Sequence, residues 1–212
     1  MDRFIETFPA VRDGDLTLCL ENGVAWQADM AHRVPYDAPY FDKYVGYEGT
    51  EIARAINAGR VDLVNRHVVC DGGVLDIGIG SGEFIKSRPH TFGFDVNPKA
   101  VEWLHARHRW SDKFYLFQGF TFWDVLEHVE EPERYFERMP DSAFVFLSVP
   151  IFGDLTAIRA SKHYRPGEHL YYFTEEGLAR WMAMHGFRLL ERDDFETRAG
   201  RDNILSFAFR RD

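Results

Sequence analysis

The 212 residues include 34 acidic and 25 basic side chains, for a formal charge of -9, and 45% of them are hydrophobic and 16% aromatic. That acidity argues against a broad electrostatic grip on a phosphate backbone, and the apolar content excludes an intrinsically disordered chain. No apolar run approaches the roughly 20 residues that a bilayer crossing needs, and Met1-Asp2-Arg3-Phe4 starts no signal pattern, so the expected location is cytoplasmic.

In chain order, Leu16 to Leu20 and Val24 to Trp26 flank Glu21-Asn22-Gly23 and predict a β-hairpin turning at Asn-Gly. Tyr36, Tyr40, Phe41, Tyr44 and Tyr47 follow as an aromatic arm, most of it packed over the domain, with one or two rings able to cover a ligand. From Thr50 to Arg66, Ile52, Ala55, Ile56, Leu63 and Val64 recur at helical spacing and predict an amphipathic helix. Cys19 and Cys70 form no C-x-x-C pair and read as packed or idle thiols. Arg107-His108-Arg109 and Arg210-Arg211 read as solvated faces.

The centre of the chain is Val74-Leu75-Asp76-Ile77-Gly78-Ile79-Gly80-Ser81-Gly82-Glu83-Phe84-Ile85. An apolar run, three glycines spaced two apart and a resumed apolar stretch predict strand, tight loop and helix. Such a loop lets a nucleoside press against backbone and the N–H groups of the next helix. The dinucleotide fingerprint would need a third glycine at position 83, where Glu83 would repel a pyrophosphate, and this disfavours a nicotinamide-dependent oxidoreductase. Thr91 to Asp95 predicts a second strand ending in a carboxylate about twenty residues on, where two-strand nucleoside folds place an acid for the ribose hydroxyls. Asn97 and Pro98 then cap a helix through Val101 and Leu104.

Three segments together carry a resemblance: Val74 to Phe84, Gly93 to Pro98, and Phe122-Trp123-Asp124-Val125-Leu126-Glu127-His128-Val129-Glu130-Glu131-Pro132. In this order they resemble the motifs of small class I S-adenosylmethionine-dependent methyltransferases, the ubiquinone-biosynthesis-like, type 11 and 23 group. The resemblance implies an α/β fold, a Rossmann-like doubly wound, mostly parallel sheet of about seven strands with an antiparallel last strand, beside the N-terminal hairpin and aromatic arm. It divides the chain into residues 1–48, hairpin and arm, and residues 49–212, the methyltransferase domain. Phe144 to Pro150, Arg188 to Glu191 and Ile204 to Phe209 supply later strands, and Thr174 opens a helix on which Leu178, Trp181 and Met182 are buried before Gly186. No clean third strand ending in an acid appears between Asp95 and Phe122, and Asp112 is the one candidate for the adenine side.

The implied cofactor is S-adenosylmethionine, with S-adenosylhomocysteine as product. By position, Gly78, Gly80 and Gly82 would face its methionine and ribose, Asp76 would order the loop or meet the amino group, and Asp95 would take the ribose. Val96 would border the adenine, and Phe122 and Asp124 would lie near the methionine end. Methyl transfer needs alignment above all, and a hydroxyl or protonated amine acceptor also needs a base. His128 is the first candidate, followed by His163 and His169 in the Lys162 to Thr174 segment, which reads as a loop shaping the acceptor site. His105 and His108 lack a nearby carboxylate cluster and read as exposed, so no metal ligands are assigned. The expected enzyme is a methyltransferase acting on a small-molecule O or N acceptor. Neither an Asn-Pro-Pro-aromatic sequence nor a Pro-Cys nucleophile points to a DNA base, though an RNA base or modified nucleoside stays an alternative, as does a catalytically silent binding protein. The oligomeric state is not legible.

Overall fold

The computed structural model describes residues 9–28, 34–35, 41, 46, 49–69 and 71–212. Tyr36, Tyr40, Tyr44 and Tyr47 of the aromatic arm, and Cys70, lie outside the described residues. Phe41 is buried against Ile79, Ile85, Ala100 and Leu104.

The predicted hairpin forms from β2 (Leu16–Cys19) and β3 (Val24–Gln27), paired antiparallel through a 3-10 turn that Gly23 closes at φ 69°. A short β1 (Val11–Asp13) pairs with β2. Cys19 is a buried free thiol. The helix α1 (Glu51–His67) is capped by Thr50, whose hydroxyl accepts from the Ala53 N–H. Ile56, Leu63 and Val64 form its buried stripe, but Ile52 and Ala55 are exposed, so the stripe starts one turn later than the spacing predicts.

The main sheet runs β5-β4-β6-β7-β10-β9. Its strands are β4 (Val74–Ile77), β5 (Thr91–Phe94), β6 (Gly119–Trp123), β7 (Phe144–Pro150), β9 (Phe187–Asp193) and β10 (Ile204–Arg211). Pairings from β5 through β7 are parallel, and β10 enters antiparallel to both β7 and β9, the last strand reversed as expected. A seventh strand is reduced to one parallel bridge, Trp110 to Gly93.

Strand alternation divides the apolar side chains between the two faces. Phe120, Phe122, Val145, Leu147, Phe207 and Phe209 fall in one cluster, while Phe146 and Ala208, their alternates, pack with Leu63 and Val64 of α1. The first cluster is closed by α4 (Glu133–Phe136) through Phe136 and by α5 (Glu175–Met184) through Leu178, Trp181 and Met182. Thr174 caps α5 by accepting from the Gly177 N–H, and Gly186 ends the turn at φ 82°.

The Lys162 to Thr174 segment is not wholly a loop. Tyr171–Phe173 forms β8, which adds antiparallel to β3 and completes a small sheet β1-β2-β3-β8. The alternating aromatics of that run suit a strand, and the pairing partner lies about 147 residues earlier, beyond the reach of local pattern. Arg211 is no solvated patch either: its guanidinium donates to the carbonyls of Phe136 and Met139 and fastens β10 to the end of α4.

Candidate functional site

The glycine loop leaves β4 at Ile77 and feeds α2 (Glu83–Ser87). Gly78, Gly80 and Gly82 all have positive φ, at 73°, 54° and 76°. A Cβ at Gly78 would stand 2.6 Å from Val125 and one at Gly82 2.5 Å from Trp103, so packing alone requires both glycines. At Gly80 nothing among the described residues lies within 4 Å of that position, which leaves a bare backbone facing open space. A ligand can approach the main chain there.

Asp95 follows β5 and turns its carboxylate back to the loop, accepting from the Ile79 and Asn97 N–H groups, each at 2.8 Å. Burial raises its pKa, against the lowering effect of these N–H groups. One carboxylate thus fixes the glycine loop and lies beside the open Gly80. Val96 next to it is 67% exposed, an apolar surface at the rim. Glu83, where a dinucleotide fold would have glycine, accepts from the Gly49 N–H and the Asn57 amide at 2.9 Å each, tying α2 to α1.

Asp76 lies beneath the loop, 1% exposed, and accepts from the Thr121 hydroxyl at 2.5 Å. Burial pushes its pKa up to about 7. The folded protein therefore keeps a proton that the unfolded chain loses at ordinary carboxylate pH, so the group's contribution falls as pH rises from about 4 to about 7. Asp76→Asn removes that penalty while keeping an oxygen for Thr121. The variant's Tm should match wild type below pH 4 and exceed it by at least about 3 °C at pH 7.5, as read by thermal melts across the range. An offset that does not vary with pH would mean that Asp76 is ionised in the fold.

At the end of β6, Phe122 is wholly buried against Tyr135 and Phe136 and offers no surface to the loop. Asp124 takes φ 57° and accepts a bidentate pair from Arg201, both bonds 2.9 Å, plus one from Arg60 at 2.9 Å. Burial favours its neutral form, but Arg201 and Arg60 outweigh burial and hold the pKa well below the carboxylate range. Glu196 of α6 (Phe195–Arg198), fully buried, takes the other side of both arginines, with Arg60 at 2.8 Å and Arg201 in contact. Asp124 is therefore a partner of two arginines. Sequence reading missed Arg60, Arg201 and Glu196. A signal existed for Arg60, which lies four residues after Ile56 and four before Val64 on the buried stripe of α1.

The chain then makes a 3-10 turn, Leu126–His128, all of it buried. The Leu170 N–H donates to the Glu127 carbonyl at 2.6 Å, and His128 Nδ1 donates to the Glu168 carbonyl at 2.8 Å. These bonds lay the segment before β8 along the turn and bring His128 and His169 edge to face, ring centroids 4.7 Å apart. Burial lowers both imidazole pKa values, that of His169 to about 3 with His128 adding to the effect, so both rings are neutral at physiological pH. Burial and the charge of Asp124 raise Glu127 well above the usual value.

The remaining candidates lie outside this turn, His163 close enough to act on the His169 imidazole. His163 bonds the Asp202 carbonyl at 2.8 Å. Asp112 is exposed, with its carbonyl held by Arg138. His105 is exposed and stacks on Trp110, and His108 is exposed beyond the helix α3 (Pro98–Ala106).

A parallel sheet with a glycine loop and a terminal acid on adjacent strands, closed by a reversed last strand, defines a class I methyltransferase fold. Residues 50–192 match the methyltransferase-domain family, and the chain belongs to that family as an S-adenosylmethionine-dependent methyltransferase. No curated protein matches it in sequence. Among solved structures it is similar to 1,6-didemethyltoxoflavin-N1-methyltransferase of Burkholderia thailandensis, with TM-score 0.56 and 16% identity, covering 97% of this chain and 99% of that one. Magnesium protoporphyrin IX methyltransferase of Synechocystis is similar at TM-score 0.55 and 18% identity, over 84% and 96%. The N-methyltransferase NodS of Bradyrhizobium japonicum gives 0.54 and 17%, over 81% and 96%. At these identities the likeness establishes the fold. Among the described residues no helix is long and apolar enough to cross a membrane.

Proposed function

We propose that this protein moves the methyl group of S-adenosylmethionine onto an oxygen or nitrogen of a small molecule. The observation that carries the reading is the open backbone at Gly80 beside the Asp95 carboxylate, between two glycines closed off by packing. A Cβ at position 80 would fill the space that the cofactor needs. When bound, S-adenosylmethionine supplies an electrophilic methyl on a sulfonium whose thioether product is neutral, so the protein's task is chiefly alignment. Asp95 accepts from the ribose hydroxyls while it holds the loop, Val96 borders the adenine, and Asp76 supports the loop from below. His128 and His169, neutral and adjacent, form the wall toward which the acceptor points.

Small acceptors fit the charge of -9, which repels nucleic acid. Two of the structurally similar enzymes carry small-molecule acceptors in their names, a magnesium porphyrin and a didemethyltoxoflavin. The test is calorimetry with S-adenosylmethionine, S-adenosylhomocysteine and NADH on wild type and Asp95→Ala. Both adenosyl ligands should bind, NADH should not, and the variant should weaken binding at least tenfold, about 1.4 kcal/mol. Binding of NADH alone, or of none of the three, would overturn the reading.

A further inference from the structure

We infer that Glu127, His128 and His169 form a binding site for a divalent transition-metal ion of the zinc or cobalt kind. Their candidate ligand atoms lie within 4.8 Å of one another, and no other such group of three occurs among the described residues. All three side chains are more than nine-tenths buried, at 2%, 8% and 5% exposure. The Glu127 Oε2 and His169 Nδ1 atoms are buried without a hydrogen-bond partner among the described residues. An orphaned buried polar atom costs roughly 1–3 kcal/mol, and two in one cluster of metal-ligating groups point to a missing partner common to both.

The orientation of His128 supports the same site. Its Nδ1 carries the proton that it donates to the Glu168 carbonyl, so Nε2 holds the lone pair, and this nitrogen lies 3.9 Å from Glu127 Oε1. A carbonyl that fixes the tautomer of a ligating histidine is the usual outer-shell arrangement. Bonds of about 2.0–2.1 Å in a tetrahedral site put ligand atoms about 3.3 Å apart, within side-chain adjustment of the spacing seen. Two imidazoles with one carboxylate suit zinc, cobalt or iron better than magnesium, which prefers oxygen donors. Three protein ligands also leave a position open, as catalytic metal sites do.

Asp124, three residues before Glu127, is not a fourth ligand, since Arg60 and Arg201 occupy both its oxygens. Among the described residues no fourth His, Cys, Asp or Glu joins the group, and the open position suits a non-protein ligand. On the function proposed above, that ligand is an acceptor hydroxyl, which narrows the substrate class to oxygen acceptors. The metal lowers the hydroxyl's pKa, its proton passes to water, and its oxygen pair forms the bond to the methyl carbon while the carbon–sulfur pair stays on sulfur. The two imidazoles thus act on the acceptor through the cation and take no proton themselves. Metal binding itself stands on the cluster alone, and its test needs neither methyl donor nor acceptor.

Chelator-treated, dialysed full-length protein is titrated with cobalt(II) chloride, followed by visible ligand-field absorption and calorimetry. One equivalent should bind with visible bands. Glu127→Gln and His169→Gln should each weaken binding at least about a hundredfold, the upper range for loss of a mere outer-shell partner. Glutamine is isosteric with the glutamate, and thermal melts confirm that each variant is folded. His105→Gln, an exposed histidine on α3, should bind as wild type does. Absence of stoichiometric cobalt binding by folded wild type, full affinity in both site variants, or loss in His105→Gln would each overturn the site. None of these outcomes bears on S-adenosylmethionine affinity, so the two readings fail separately.

Discussion

Replacing Glu196 with alanine is expected to destabilise the protein by about 3–5 kcal/mol, measured by urea unfolding at pH 7. Arg60 and Arg201 share two carboxylates, Asp124 and Glu196, so the four charges cancel. Side-chain exposures of 14%, 30%, 24% and 0% leave them little solvent screening. Removing one acid strands a positive charge that the remaining carboxylate cannot neutralise, and the surrounding apolar packing, including Trp123 under the Arg60 guanidinium at 5.0 Å, cannot solvate it. The exposed pair Arg134–Glu131, at 74% and 55%, supplies the contrast, and Glu131→Ala should cost no more than about 1 kcal/mol. Equal losses in the two variants would show that the cluster is as screened as the surface pair.

Gly80→Ala should bind S-adenosylmethionine more than tenfold more weakly while losing only about 1–2 kcal/mol of stability, the cost of an L-residue at φ 54°. Its methyl enters open space and meets no atom of the described residues within 4 Å. Gly82→Ala reverses the order of effects, because its methyl is driven into the Trp103 ring at 2.5 Å in addition to the strained φ. Calorimetry and thermal melts on both variants separate the two roles of glycine in one loop. Wild-type affinity in folded Gly80→Ala would remove the cofactor from this backbone.

What could be read locally was read well where one element supplied the whole signal. Asn97 and Thr174 cap their helices through bonds two or three residues away, so the caps are written in consecutive sequence. The near-continuous apolar runs of β7 and β10 likewise follow from burial on both faces. The stretch around Asp124 was legible as a motif and opaque as chemistry, since its arginines come from 64 and 77 residues away. Glu83 could be recognised as a departure from the dinucleotide pattern, but its partners Gly49 and Asn57 could not.

The sequence by itself determined the α/β order, the glycine loop with its acid on the next strand, and the methyltransferase family, because these depend on residue type and spacing within single elements. Tertiary structure alone decided that Asp124 serves two arginines, that Tyr171–Phe173 is a strand, and that Glu127, His128 and His169 form one buried cluster. The physical reason is that each of these depends on the close approach of side chains distant in sequence. Burial then removes water as the competing partner, so the nearest charge or lone pair fixes each group's role.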